Sequence, residues 1–115
     1  MFAVVIIREP VTRAHLLKVA KEGFGDFVKA VVDCAQGIMA IGGELHADEE
    51  QMLLAQGSEQ KNLWGVNLYP ENSSEGWVEC NSMINIRPRQ GNRTRGVGDP
   101  AVQKQIHAVV SRLVL

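Results

Sequence analysis

Two pairs of β-prone runs, each closed on itself by turn formers, constrain this chain more than any other feature. Phe27 to Asp33 and Ile38 to His46 flank Cys34-Ala35-Gln36-Gly37, whose glycine can take the left-handed conformation that a tight hairpin demands. Leu63 to Tyr69 and Trp77 to Arg87 flank Pro70-Glu71-Asn72-Ser73-Ser74-Glu75-Gly76, a connection made almost wholly of turn residues. Hairpins join neighbours antiparallel, whereas an alternating strand-helix series would have implied a parallel sheet.

The remaining segments complete the pattern. Phe2 to Ile7 reads as a short strand stopped at Pro10, and Thr12 as the N-cap of a helix whose stripe is Leu16, Leu17, Val19 and Ala20, ended by Gly23 and Gly25. Asp48 is expected to cap a second helix over Glu49 to Gln56, with Gly57 as its stop. Asp99-Pro100 opens a third, in which Val102, Ile106, Val109, Val110 and Leu113 recur at helical spacing. The order β-α-β-β-α-β-β-α predicts an α+β fold of two layers, a mainly antiparallel sheet of three to five strands with helices packed on one face. At 115 residues the expectation is a single domain, 1–115, around one core.

Composition excludes more than it suggests. With 45% hydrophobic and 22% charged residues the chain is neither disordered nor fibrous, and a net charge of −1 gives no bulk field to gather phosphates. A nucleic-acid partner would need a local basic cluster. Cys34 and Cys80 form no C-x-x-C pair and no disulfide framework. The apolar opening, Met1 to Ile7, is too short for a signal-peptide core, and no later run approaches the ~20 apolar residues of a membrane span, so the expected location is the cytoplasm and no membrane partner is expected.

Alternation splits each strand into two sets. Val28, Ala30 and Val32, Met39, Ile41 and Leu45, Trp64, Val66 and Leu68, and Val78, Cys80, Ser82, Ile84 and Ile86 point one way. The other side gathers Lys29, Asp33, Glu44, His46, Asn67, Asn81, Asn85 and Arg87. Antiparallel sheets regularly leave one face in water. Asparagine, however, is depleted in strands, so three of them on that face require a reason.

Two constellations carry the chemistry. Glu44, His46 and Asp48 put one imidazole beside carboxylates, a set that could hold a divalent cation or act as acid and base, although the spacing matches no dedicated metal motif. Asn85 and Arg87, at the end of the last strand run, and Arg89, Asn92, Arg93 and Arg95, in the long Gly-rich loop that continues from it, put four arginines in nine positions ahead of a helix N-terminus. Planar guanidinium groups and glycine-exposed N–H groups suit an anion. The structural alternative ties the same arginines to Asp48, Glu49, Glu50 and Glu79. Trp64, Tyr69 and Trp77 could stack bases, yet Trp64 shares the parity of Val66 and Leu68 and belongs with the core. Phosphate-loop, dinucleotide and nucleophile-elbow motifs are absent.

Gly42-Gly43-Glu44-Leu45-His46-Ala47-Asp48-Glu49-Glu50, Leu63-Trp64-Gly65 and Ser82 to Arg93 resemble a family of small uncharacterised prokaryotic proteins, cyanobacteria and archaea among their sources. The resemblance covers nearly the whole chain and implies a free-standing domain, with no catalytic residue or cofactor attached. Three readings follow. The first is a module that binds an anionic ligand, a phosphate-bearing small molecule or single-stranded nucleic acid, through the arginine loop. A small metal-assisted hydrolase using Glu44, His46 and Asp48 is the second. The third is a structural protein, a homodimer formed through the polar sheet face or an unpaired edge strand.

Overall fold

Asp33 shows how the chain turns from one strand to the next. Its Oδ1 accepts hydrogen bonds from Ala35 N and Gln36 N, both at 2.9 Å, and its Oδ2 accepts one from Ser58 Oγ at 2.7 Å. Gly37 completes the turn at φ +68°. This hairpin joins β2 (Val28–Asp33) to β3 (Ile38–Ile41) in a computed structural model that describes residues 2–115 apart from the Glu75 side chain. β1 (Val5–Ile7) pairs with β3, and β4 (Leu63–Leu68) pairs with β2 and with β5 (Val78–Glu79). The sheet has five strands in the order β1-β3-β2-β4-β5, antiparallel throughout.

The helices begin and end largely for the reasons the sequence supplies. Thr12 caps α1 (Arg13–Glu22) by accepting His15 N, and Asp99 caps α3 (Pro100–Leu113) by accepting Ala101 N, with Pro100 in the first turn. Leu16 and Ala20 of α1 and Ile106, Val109, Val110 and Leu113 of α3 bury against Val28, Ala30, Val32, Met39, Ile41, Trp64, Val66 and Leu68. The α+β class, the antiparallel sheet and this apolar strand set are as expected.

The opposite face differs from a solvated surface. α2 (His46–Ala55) lies across it, and Leu53 with Val31, Ile38, Ala40 and Leu63 forms a second, smaller apolar cluster. The buried stripe of α2 is His46, Glu49 and Leu53, two polar residues out of three, which is why hydropathy does not announce this helix as a covering layer. α1 and α3 thus share one face, while α2 covers the other.

Two strand expectations and one cap are corrected here. The run Ile38 to His46 leaves the sheet after Ile41, because Gly42 turns at φ +87° where a Cβ would stand 2.5 Å from Ala3 O. Helix α2 then starts at His46 with Leu45 in the N-cap position and no side-chain cap, so Asp48 lies inside the first turn and does not precede it. The run Trp77 to Arg87 is a strand only at Val78–Glu79, after which Met83–Asn85 and Pro88–Gln90 form single 3-10 turns. Ser82 initiates the first of these by accepting Ile84 N, and Leu45 and Ile86, assigned to the apolar face by parity, are exposed. Among the described residues, no helix is long and apolar enough to cross a membrane.

Candidate functional site

Where β5 stops, the outer edge of β4 needs other partners. Asn85 supplies them: its Oδ1 accepts Gly65 N at 2.8 Å, and its Nδ2 donates to Gly65 O at 3.0 Å and to Arg95 O at 2.9 Å. One side-chain amide thereby takes the place of a neighbouring peptide. Arg87 donates to Leu63 O, to Ile84 O at 2.9 Å and to Gln60 O at 2.7 Å, with its guanidinium 4.5 Å from the Trp64 ring centre. Asn92 donates to Asn85 O, Thr94 O and Gly96 O and accepts Gly98 N. Asn67, opposite Lys29 on β2 and Glu79 on β5, donates to Glu79 Oε1 at 2.9 Å.

Of the three strand asparagines that stood out in the sequence, Asn85 is a clip for the backbone, as is Asn92 of the loop, whereas Asn67 donates to the Glu79 carboxylate and Asn81 accepts from Arg95. Asn85 and Asn92 are buried, and Arg87 is half-buried with its donors on carbonyls. Arg89, Arg93 and Arg95 remain exposed, and Arg95 Nε donates to Asn81 Oδ1 at 2.9 Å. The arginine–carboxylate ion pairs of the alternative reading do not form among the described residues. Among the described residues the ion pairs are Lys21–Glu71 and Lys61–Glu59. The aromatic side chains are engaged too: Arg13 lies 3.9 Å from the Trp77 ring centre, and Tyr69 packs on Phe27 and donates to Glu79.

Glu44, His46 and Asp48 do not converge. Glu44 and Asp48 are exposed, whereas His46 is buried with Nε2 2.8 Å from Val66 O. A carbonyl can only accept, so that nitrogen carries the proton and Nδ1 keeps its lone pair. Burial pulls the His46 pKa down, and the positive charges of Lys29 and Arg95 add to the effect. Among the described residues, no three His, Cys, Asp or Glu side chains gather as a metal site. Glu49, also on the buried stripe of α2, accepts Gly43 N at 2.9 Å, and desolvation pushes its carboxyl up to about 9, so it is a neutral acid at pH 7. Burial likewise raises the Cys34 thiol to about 11 and also raises the Cys80 thiol, which favours the protonated thiol of both.

What the fold does bring together is a cavity of about 180 Å³ between the start of α2 and the Ser82–Ile84 turn, lined by Lys29, Leu45, His46, Ala47, Ser82, Met83, Ile84 and Arg95. Gly65 makes the floor possible, since a Cβ there would stand 2.5 Å from Ser82 Cβ and 3.2 Å from His46 Cδ2. Of the loop residues singled out in the sequence, Arg95 alone lines this cavity, and of the Glu44/His46/Asp48 set, His46 alone does. Lys29, Leu45, Ser82 and Met83 were not among the sites read from the sequence. The parity of Lys29 with Asn67 is the one signal that could have pointed to it.

A second cavity, about 250 Å³, opens on the other side of the same loop among Lys61, Asn62, Gln90, Asn92, Asp99 and Gln105. Its amides are partly committed, because Gln90 donates to Lys61 O and Asn92 holds the loop.

These features define an α+β protein on a five-stranded antiparallel sheet, with a cation-lined cavity beside the helix that covers its polar face. The chain belongs to the DUF5674 family, described as a protein of unknown function, with residues 5–113 matched. No curated protein and no solved structure matches it.

Proposed function

We propose that this protein is a binding module for a small anionic ligand, a phosphate-bearing molecule in the first instance, seated between Lys29 and Arg95. The supporting observation is that two cations from distant parts of the chain, one on β2 and one in the 86–98 loop, line one small cavity with no carboxylate ion-paired to either among the described residues. Lys29 and Arg95 both act electrostatically on His46, so their fields overlap in the cavity. Like charges held together without counter-charge are stabilised by an anion.

A small ligand fits this arrangement better than single-stranded nucleic acid. Base stacking needs free aromatic faces, but Trp64 is buried beneath Arg87 and Trp77 carries Arg13. The Glu44/His46/Asp48 hydrolase gains no comparable support.

The test is an amide-resolved NMR titration with inorganic phosphate, against chloride at equal ionic strength. Shifts should centre on residues 45–47 and 82–84 and vanish in Lys29→Gln/Arg95→Gln. Shifts that persist in that variant but vanish in Arg89→Ala/Arg93→Ala would move the anion to the exposed loop. Absence of any shift would remove the binding-module reading.

A further inference from the structure

The rim of the cavity breaks two local rules at once. Leu45 occupies the N-cap position of α2, where Ser, Thr, Asp or Asn would satisfy first-turn N–H groups, and no side-chain cap replaces it. It is 53% exposed. Met83, at the start of the opposing turn, is 65% exposed. Both line the same cavity as Lys29 and Arg95, together with Ile84 and Ala47. Isolated exposed apolar side chains are ordinary on a protein surface. Two flanking a cationic cavity, one of them at the expense of a helix cap, form a composite surface of charge and hydrocarbon.

Size narrows what such a surface can take. A cavity of about 180 Å³ has room for roughly six water volumes, less than the ~300 Å³ at which drug-sized ligand pockets begin. It can seat one acidic group and a few carbons, and the rest of a larger ligand would stay outside. Methionine suits the rim because its unbranched thioether adapts to differing apolar shapes.

We infer that the ligand is a small amphiphilic anion, with a single acidic group between Lys29 and Arg95 and an apolar portion laid over Leu45 and Met83. This rests on the anion-binding reading above and adds the second half of the ligand. Inorganic phosphate supplies only the charged half, so it is the weaker ligand.

Calorimetric or NMR titration with inorganic phosphate, phenyl phosphate and phenol separates the two halves. Phenyl phosphate should bind roughly tenfold more tightly than inorganic phosphate, the return on burying about 55 Å² of apolar surface, and phenol alone should not bind measurably. Leu45→Ser and Met83→Ser should each narrow the difference in affinity between phenyl phosphate and inorganic phosphate. Lys29→Gln/Arg95→Gln should abolish both. Leu45→Ser carries a second signature: it installs a helix cap and should raise Tm while it weakens phenyl phosphate binding, opposite signs that a merely structural role would not produce. Equal affinities for the two phosphates, or serine variants that bind phenyl phosphate as the parent does, would overturn the amphiphile and leave the anion site standing. Failure of both phosphates to bind would overturn the two together.

Discussion

The two faces of the sheet are both buried, but by different physics. On the α1/α3 face, Leu16, Val32, Met39, Ile106 and Leu113 exclude water by apolar packing, which is proportional to area and indifferent to direction. On the α2 face the apolar cluster is small, and order comes from directed groups: Asn85 on Gly65, His46 on Val66 O, Glu49 on Gly43 N, Asp33 on its own turn. The first face tolerates a change of shape at constant hydrophobicity. The second should tolerate a change of hydrophobicity at constant shape poorly, because each lost partner strands a buried backbone group. The cavity lined by Lys29 and Arg95, neither of which is in an ion pair among the described residues, sits on the second face.

The sharpest test of that contrast pits Asn85→Leu against Leu16→Ala. Asn85→Leu adds apolar volume yet orphans Gly65 N and O, and its cost in urea unfolding should be ~2–4 kcal/mol, comparable with the ~2–5 kcal/mol of the core truncation. A cost under ~1 kcal/mol would mean that the amide does not hold the edge of β4.

Glu49 provides an effect of a different kind, read as a dependence on pH. Its carboxyl is held up to about 9 from an ordinary 4.5. The stability it contributes in the protonated form is therefore complete below about 4.5 and lost as pH rises through about 9. Wild-type stability should decline across that window with a slope approaching ~1.4 kcal/mol per pH unit from this group. In Glu49→Gln the decline should flatten, with the gain over wild type growing towards alkaline pH in chemical denaturation. Parallel profiles for the two proteins would show that Glu49 is ionised in the fold.

Gly65→Ala probes the same face by steric means. A Cβ 2.5 Å from Ser82 Cβ must push the Ser82–Ile84 turn away, at ~1–3 kcal/mol, and should weaken phosphate binding as the cavity floor moves. The smallest effect belongs to Arg89→Ala/Arg93→Ala, exposed side chains whose removal should change stability by no more than ~0.5 kcal/mol. A larger loss there would mean that the loop depends on charge as well as on its amide clips.

Much of this architecture is legible in the residues. Thr12, Asp99 and Gly37 act locally, through caps and a turn that need no distant partner, and the order of all eight main elements follows from such signals. Less of the candidate site is legible. Arg95 stands out as an arginine in a long loop, but Lys29 is one lysine in a strand, Leu45 reads as a buried strand residue until its strand ends early, and Met83 alternates with Asn81 and Asn85 on the polar set. Parity failed for Leu45 and Ile86 because parity holds only while a strand continues, and Gly42 and the Ser82 turn stop these two.

The sequence by itself determined the α+β class, the two hairpins, two of the three helix starts and the apolar face under α1 and α3, since periodicity and caps act within a few residues. Only the tertiary structure decided that α2 covers the polar face, that Asn85, Arg87 and Asn92 hold backbone, and that Lys29 and Arg95 line one cavity. Hydrogen-bond partners 20 residues apart, such as Asn85 and Gly65, have no periodic signature, because their pairing depends on where each strand ends and which edge it leaves open.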